Sequence, residues 1–508
     1  MPPSRTLVVL FASLATCIDL SPGSTVLRGF VQFPVHATTT HGAGIGQLRR
    51  RQAPGAEVLN LDNGTAYSIT FGVGTPPQPV SVVLDTGSSE FWVNPDCETV
   101  VSDRNREICE AAPRYTMRAS ETARQLLDTS SIGFAKGFVR LAHVEDSVSL
   151  GGEFSFWSWG VDAVAAGTTL ENFHFGIAES SIDIFAGVLG LGPRPASQRS
   201  DHFVSALATQ KLIESRVFSI NLGSVDQPQG AVIFGGIDMA KFSGTLDKVP
   251  LISEEEAVQK GVDRRFVRLA SVAVTSPNHT SSTIYQHDPA TVTASYQALI
   301  DSGSTLSVLP RQITRGILAH FPDAVALDGG IFLVNCIHAT SNGTVDFGFN
   351  SSGSDKVIRV PYREFIWRQG SECALAMLES ADDENRPLIL GTPFLRAAYL
   401  VWDLDNGNVH LAQAAAGCGR SDIIRVGRGV DAVPALTGSC VAGPAGWIGG
   451  GNATWAGGGS IRGTGVLGGP IMTSPPVISS GISGCHMSGV KLAVAGLSAL
   501  CLALLLSG

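Results

Sequence analysis

Two segments of the 508-residue chain repeat one pattern of residue types around an aspartate. In Val82–Ser89 and again in Ala298–Thr305, an apolar run ends in Asp, and a small hydroxyl residue, Gly and two further hydroxyl residues follow. An Asp at the end of a buried strand is costly unless hydrogen bonds satisfy it, and an adjacent Gly lets the backbone approach closely. The repeat therefore indicates two related turns built around Asp85 and Asp301.

Two such turns facing each other could perform acid–base chemistry. Two neighbouring carboxylates do not both ionise at low cost, so they share one proton. One is then a general base towards water, and the other is a general acid towards a developing oxyanion, as amide hydrolysis requires. Glycoside hydrolysis also uses two carboxylates, but it does not require duplicated Asp-hydroxyl-Gly turns. A single copy of this pattern is often no more than an Asx-turn after a strand.

Short β-strands must position these turns. Tyr67–Phe71 and Val80–Leu84 are β-rich runs, and the turn-forming stretch Thr75–Pro79 separates them. A second echo follows each Asp turn, because Val188–Gly190 and Ile389–Gly391 are both apolar-apolar-Gly. A supersecondary pattern used twice indicates two related lobes. We predict an all-β fold of two lobes that face each other.

Composition and charge exclude several classes of protein. The formal net charge is -9, whereas a general nucleic-acid binder would be basic. Apolar runs long enough to span a bilayer do not recur along the chain, which excludes a polytopic membrane protein. The sequence contains neither H-E-x-x-H nor G-x-x-x-x-G-K-[ST], so zinc-protease and P-loop chemistry have no support. We expect no nucleic-acid partner, no cofactor and no metal.

The N-terminal region has the pattern of a secretory precursor. Residues 1–20 combine a basic start with a short apolar run and small residues, which is typical of a signal peptide. Residues 21–51 contain no acidic residue and end in Arg49-Arg50-Arg51, a sequence suited to a kexin-type processing enzyme. We interpret them as a propeptide; the alternative is an exposed basic loop.

The C-terminal region indicates a lipid anchor. Residues 417–479 include a Gly-rich stretch with little charge and are predicted to form a stalk. Residues 480–508 end in an apolar tail shorter than the roughly 20 residues of a spanning helix. Small residues about ten positions upstream complete the layout of a GPI signal, with Ser479 as the candidate attachment residue. The alternatives are a retained membrane anchor and a buried terminal helix.

Five N-x-S/T sequons fit secretion, although each alone is a weak signal. They are Asn63, Asn278, Asn342, Asn350 and Asn452.

At the repeated turns the sequence resembles the pepsin-like aspartic endopeptidases. The resemblance covers the body of the chain, residues 52–416, and rests on further segments such as Ala186–Gly192, Ile233–Asp238 and Leu388–Arg396. It implies a bilobal fold, with an N-lobe of about 52–240, a C-lobe of about 241–416 and a substrate cleft between them. The secretion signal, basic cleavage site, stalk and anchor are similar to those of the fungal, cell-surface yapsin-like branch.

The resemblance also implies roles for individual residues. Asp85 and Asp301 would be the catalytic pair, Ser88 and Ser304 would hydrogen-bond their outer carboxylate oxygens, and Thr86 and Ser302 would brace the two loops against each other.

One departure from the family concerns its flap hairpin, which usually carries a Tyr followed by Gly. The best alignment places His143 at the tyrosine position, from which it would donate a hydrogen bond towards Trp92. Two alternatives remain open: an exposed loop His, or a shifted register in which Phe154, Phe156 or Trp157 covers the substrate.

Six of the nine cysteines remain once the signal and anchor segments are removed, an even number that suits a secreted protein. Cys97–Cys109 and Cys336–Cys373 resemble the disulfides of the family's two lobes, and Cys418–Cys440 is the pair left over.

These observations predict a secreted, GPI-anchored aspartic endopeptidase. We expect it to be a monomer that acts on proteins or peptides at the cell membrane or cell wall. The alternative is a catalytically weak relative that binds peptides or glycans at the wall; only the unusual flap favours it.

Overall fold

The β-rich runs of the sequence form strands throughout the body of the protein. The computed structural model describes residues 25–27, 30–36, 66–134, 137–150, 168–195, 198, 200–225, 229–257, 265–288, 290, 295–327, 330–351, 355–369, 371–380, 387–415, 418 and 421–440. The signal peptide, most of the predicted propeptide, Asn63, Asn452, Ser479 and the anchor segment lie outside these residues.

The described residues form 29 strands. They are β1 (Thr25–Leu27), β2 (Phe30–His36), β3 (Ser68–Val73), β4 (Gln78–Asp85), β5 (Phe91–Val93), β6 (Arg124–Gly133), β7 (Phe138–Leu150), β8 (Thr168–Ile182), β9 (Gly187–Gly190), β10 (Val217–Asn221), β11 (Gln229–Phe234), β12 (Gly236–Asp238), β13 (Phe242–Pro250), β14 (Val267–Thr275), β15 (Ser281–Gln286), β16 (Gln297–Ile300), β17 (Ser307–Leu309), β18 (Val325–Ala326), β19 (Phe332–Val334), β20 (Thr344–Asn350), β21 (Asp355–Pro361), β22 (Ile366–Gln369), β23 (Glu372–Leu375), β24 (Met377–Glu379), β25 (Leu388–Leu390), β26 (Ala398–Asp403), β27 (Asn408–Ala414), β28 (Ile423–Arg425) and β29 (Leu436–Thr437).

Helices in the described residues are few and short. They are α1 (Asp103–Ala111), α2 (Phe203–Thr209), α3 (Arg311–Leu318), α4 (Tyr362–Phe365) and α5 (Thr392–Ala397). Among the described residues, no helix is both long enough and apolar enough to cross a bilayer.

The first lobe is built on a seven-stranded sheet with the order β3-β4-β9-β5-β8-β7-β6. Strand β4 pairs with β9 in parallel, and its last four residues are all buried. Buried parallel strands read as continuous apolar runs, which explains the sequence Val82-Val83-Leu84 before Asp85. Behind this strand pair, Phe71, Phe91 and Phe203 pack with ring centroids 5.3 to 6.3 Å apart.

The second lobe repeats this arrangement. Its main sheet has the order β21-β20-β14-β16-β25-β17-β24, and β15 pairs with β14. Strand β16, which ends just before Asp301, pairs in parallel with β25, as β4 does with β9. A smaller sheet, β18-β19-β23-β22, lies in the same half of the chain. The all-β, two-lobed architecture predicted from the sequence is confirmed.

A third sheet draws strands from both halves of the chain, in the order β1-β2-β11-β10-β26-β27-β13-β29. Strand β10 pairs with β26, which brings Phe218 and Trp402 into a stacked contact with centroids 6.2 Å apart. Strand β2 belongs to the predicted propeptide and pairs antiparallel with β11 along six residues. This part of the predicted propeptide is therefore an added strand of the sheet that joins the two halves.

The body extends further towards the C-terminus than the sequence analysis predicts. Strand β28 pairs with β12, and β29 pairs with β13. Val426 and Val433 are buried against the third sheet. The stalk boundary at residue 417 is therefore wrong, because the segment up to Cys440 buries apolar side chains and is tied back by the disulfide to Cys418.

Candidate active site

The two predicted turns lie at the ends of the two parallel strand pairs. Asp85 is the last residue of β4, and its carbonyl accepts a hydrogen bond from the Leu191 N–H at 2.7 Å. Asp301 follows β16, and its N–H donates to the Leu390 carbonyl at 3.0 Å. In both lobes the backbone of the Asp is thus fixed by the neighbouring parallel strand.

The two apolar-apolar-Gly segments, Val188–Gly190 and Ile389–Gly391, lie at the ends of the strands that pair with those ending at these turns. A Cβ at Gly190 would lie 2.4 Å from the Glu90 nitrogen, and a Cβ at Gly391 would lie 2.4 Å from the Leu306 carbonyl oxygen. Only glycine leaves room for the chain that follows each Asp to pass over the neighbouring strand. The second echo in the sequence therefore has a packing cause.

Thr86 and Ser302 connect the two lobes by four hydrogen bonds related by an approximate twofold. The Thr86 N–H donates to Ser302 Oγ at 3.0 Å, and the Ser302 N–H donates to Thr86 Oγ1 at 3.0 Å. Each hydroxyl then donates into the opposite lobe, from Thr86 to the Ile300 carbonyl at 2.8 Å and from Ser302 to the Leu84 carbonyl at 2.7 Å. Both side chains are fully buried. The structure places these two residues as the sequence predicts.

This bracing brings the two carboxylates together. A Cβ at Gly87 would lie 2.6 Å from Asp301 Oδ1, and one at Gly303 would lie 2.7 Å from Asp85 Oδ1. The carboxyl group of Asp301 is hydrogen-bonded to that of Asp85. Burial, the charge of Asp85 and this hydrogen bond raise the pKa of Asp301 well above its ordinary value. The arrangement can therefore hold a proton on Asp301 beside the carboxyl group of Asp85.

The two serines of the repeat differ in their contacts. Ser88 Oγ donates to Asp85 Oδ2 at 2.5 Å, and the Gly87 N–H donates to Asp85 Oδ1 at 2.7 Å. Ser304 Oγ donates to the Leu306 carbonyl at 2.9 Å instead of to Asp301. The predicted role of Ser304 is wrong, because the chain after Ser304 bends and offers its hydroxyl a backbone acceptor.

Comparison with known proteins agrees with this geometry. Residues 66–414 match the family described as "Eukaryotic aspartyl protease". The chain belongs to this family. It is an aspartic-type endopeptidase, a hydrolase whose substrates are proteins or peptides.

Individual relatives are fungal. The chain is 28% identical over 405 residues to "Probable aspartic-type endopeptidase opsB" of Aspergillus oryzae, covering 77% of each chain. It is 28% identical over 427 residues to "Secreted aspartic protease 1" of Candida albicans, covering 80% of this chain and 95% of that protein. It is 29% identical to "Barrierpepsin" of Saccharomyces cerevisiae, covering 70% of this chain and 61% of that protein.

The solved structures support the fold. The crystal structure of an aspartic proteinase from Irpex lacteus superimposes with a TM-score of 0.51 at 20% sequence identity. The match covers 69% of this chain and 94% of the other.

The long hairpin of this aspartic protease does not use His143 at its tip. The hairpin is formed by β6 and β7, and at its end the Phe134 N–H donates to the Gly137 carbonyl at 2.7 Å. His143 lies within β7, is fully buried, and has its Nε2 2.9 Å from Ser130 Oγ. Both its assignment to the flap tyrosine position and the exposed-loop alternative are wrong, since the hairpin turn comes earlier in the chain than the alignment assumed.

Trp92 packs under this hairpin. Its ring lies 6.0 Å from that of Phe134, and Val139, Leu141 and Val188 complete the cluster. Its indole N–H makes no hydrogen bond to the described residues, and Nε2 of His143 lies 2.9 Å from Ser130 Oγ. The other flap candidates, Phe154, Phe156 and Trp157, lie outside the described residues.

Arg265 is a part of the site that the sequence analysis missed. It stands two residues before Val267, which pairs antiparallel with Ala298 of β16, so this register carries Arg265 towards the end of β16 and Asp301. Its charge acts on both aspartates, and it lowers the pKa of Asp301 against the larger effect of burial. Burial in turn lowers the pKa of Arg265 itself. The sequence signal was weak, because Arg265 precedes β14 and lies outside both Asp motifs.

The predicted disulfides Cys97–Cys109, Cys336–Cys373 and Cys418–Cys440 all form. The described sequons, Asn278, Asn342 and Asn350, are exposed, as glycosylation requires.

Replacing Arg265 should shift the pH dependence of catalysis. In Arg265→Met, the loss of a positive charge beside the dyad raises the pKa of Asp301, so the shared proton is retained to higher pH. The basic limb of the profile of kcat/KM against pH should move to higher pH. Arg268→Met is the matched control, since Arg268 is ion-paired with Glu256 at 3.1 Å. A basic limb that stays in place, or moves to lower pH, would contradict this role of Arg265.

Proposed function

We propose that this enzyme is a secreted, cell-surface aspartic endopeptidase in which Asp85 and Asp301 jointly activate a water molecule. The observation that carries the proposal is the meeting of the two carboxyl groups, hydrogen-bonded to each other and braced across the lobes. The dyad is intact, which gives no support to the alternative of a catalytically weak protein that binds peptides or glycans.

The contacts of the two aspartates suggest how they divide the work. Asp85 accepts hydrogen bonds from Ser88 and Gly87, which suits it to carry the negative charge. Asp301, with its raised pKa, is suited to hold the shared proton. Asp85 would take a proton from water as the water oxygen bonds to the peptide carbonyl carbon. Asp301 would give its proton to the carbonyl oxygen.

Collapse of the resulting tetrahedral diol breaks the carbon–nitrogen bond. The proton now on Asp85 goes to the leaving amine, and a diol hydroxyl returns its proton to Asp301 as the new carboxylic acid forms. The dyad thus ends with the one proton with which it began, and no cofactor enters the balance.

Replacing either aspartate with Asn should abolish peptide hydrolysis without unfolding the protein. Each of Asp85→Asn and Asp301→Asn removes one acid–base role, so kcat should fall by about three orders of magnitude or more. Asp355→Asn, at an exposed position in β21, is the control and should keep full activity. Hydrolysis rates on a peptide library would be compared for proteins with matched circular dichroism. Robust activity in either dyad variant would refute the mechanism.

We also propose that the chain is made as a precursor and held at the cell surface by a GPI lipid, as in the yapsin-like branch. The support is the signal-like segment, residues 1–20, the basic cleavage site at Arg51, and the apolar tail with small residues near Ser479. Relatives with "secreted" in their names fit the proposed secretion of the chain. A stalk beginning after Cys440 would hold a monomeric body away from the membrane or wall.

Phosphatidylinositol-specific phospholipase C should release the enzyme from a membrane fraction. A chain that ends at Ser480 lacks the anchor signal and should be secreted freely, which makes it the matched control. Recovery of peptides from the apolar tail of the mature protein by mass spectrometry would contradict the GPI anchor and point to a retained membrane segment.

A further inference from the structure

Two histidines and an aspartate, none of them part of the catalytic dyad, lie together in the first sheet. Asp128, His143 and His174 stand on β6, β7 and β8, which are adjacent strands of the first sheet. One ligand-type atom from each lies within 4.8 Å of those of the other two. The two imidazole rings meet edge to face with centroids 4.9 Å apart. These residues form a compact, largely buried cluster that the catalytic mechanism does not use.

The polar atoms of this cluster are not fully satisfied by one another. His174 Nε2 is buried, lies 3.5 Å from Asp128 Oδ2, and makes no hydrogen bond to any described residue. A buried imidazole nitrogen without a hydrogen bond destabilises the folded state, because the protein does not replace the hydrogen bonds that water would make with it. A purely structural network would be expected to close this gap with a direct hydrogen bond, and a bound ion would satisfy the nitrogen instead.

The surroundings of His143 favour a defined tautomer. Ser130 Oγ lies 2.9 Å from His143 Nε2 and donates its own proton to Glu90 Oε2 at 3.4 Å. Ser130 therefore accepts from a protonated Nε2, and Nδ1 of His143 carries the lone pair. Metal-binding histidines commonly have their other ring N–H directed to such an acceptor, which fixes the ring.

We propose that Asp128, His143 and His174 form a binding site for a divalent transition metal of the zinc type. Two imidazoles and one carboxylate are a ligand set that zinc accepts, with a fourth position left for water. Ligand atoms around tetrahedral zinc are about 3.4 Å apart, so closure from the present separations of up to 4.8 Å needs only small side-chain movements. The bound ion would tie the hairpin strands β6 and β7 to β8, contrary to the expectation from sequence that the protein holds no metal.

Zinc titration by calorimetry tests this directly. The secreted protein, purified without a polyhistidine tag and freed of metal by a chelator, should bind one Zn²⁺ with a dissociation constant on the order of micromolar or tighter at about pH 7. His174→Gln and Asp128→Asn should each weaken binding about tenfold or more. Cobalt should bind at the same site and give the visible absorption of a tetrahedral complex, whereas Mg²⁺, which prefers all-oxygen sites, should not compete.

The matched control is His338→Gln. His338 Nε2 lies 2.7 Å from Asp323 Oδ1, so this change removes a His–Asp pair that lacks a second histidine, and zinc affinity should be unaltered. Because His143 is fully buried, circular dichroism would accompany His143→Asn, and the two less buried positions carry the test if that variant fails to fold. Absence of zinc binding by the unaltered protein, or binding that survives both His174→Gln and Asp128→Asn, would overturn the proposal.

Discussion

The four hydrogen bonds that Thr86 and Ser302 make across the two lobes are the constraint on which the rest of the site depends. They are buried, they join residues more than two hundred positions apart, and each hydroxyl serves at once as donor and acceptor. Two carboxyl groups repel each other when both are ionised, so something must hold their turns together. The crossed hydroxyls supply that restraint, and they do so with neutral groups whose hydrogen bonds are satisfied within the protein.

Around this centre, the two lobes position their Asp turns by the same strand arrangement. A strand that ends in Asp runs parallel to a strand that ends in Gly, and the glycine lets the chain after the Asp cross over it. The apolar strands are buried, and their packing in the core fixes the position of the turns at their ends. The third sheet, which draws strands from both halves of the chain, then fixes the lobes to each other. Rigid sheets outside the site thereby position the carboxyl groups.

Much of this architecture could be read from the sequence because its signals are local. The duplicated Asp turns and the apolar-Gly echoes each depend on a few neighbouring residues, whereas the disulfide pairs were inferred from the family resemblance and from the one pair left over. The predictions that failed concern residues whose positions depend on how strands distant in the sequence pair with each other. Ser304 occupies the repeat position of Ser88, yet a bend in the following chain supplies a different acceptor. The flap position was wrongly assigned to His143, because the hairpin turn contains no Tyr-Gly pair that would mark it in the sequence. Arg265 comes near the dyad because the following strand, β14, pairs with β16. The segment before Cys440 packs against the body through β29, but in the sequence it was grouped with the Gly-rich stretch that follows it.

The central claim is that the two aspartates share a single proton, held mainly on Asp301. Neutron diffraction from crystals of the deuterated enzyme, grown near the pH of highest activity, would observe that proton as one deuteron. The account predicts one deuteron between the carboxyl groups of Asp85 and Asp301, bonded to an oxygen of Asp301. Deuterons on both carboxyl groups, or on neither, would contradict it.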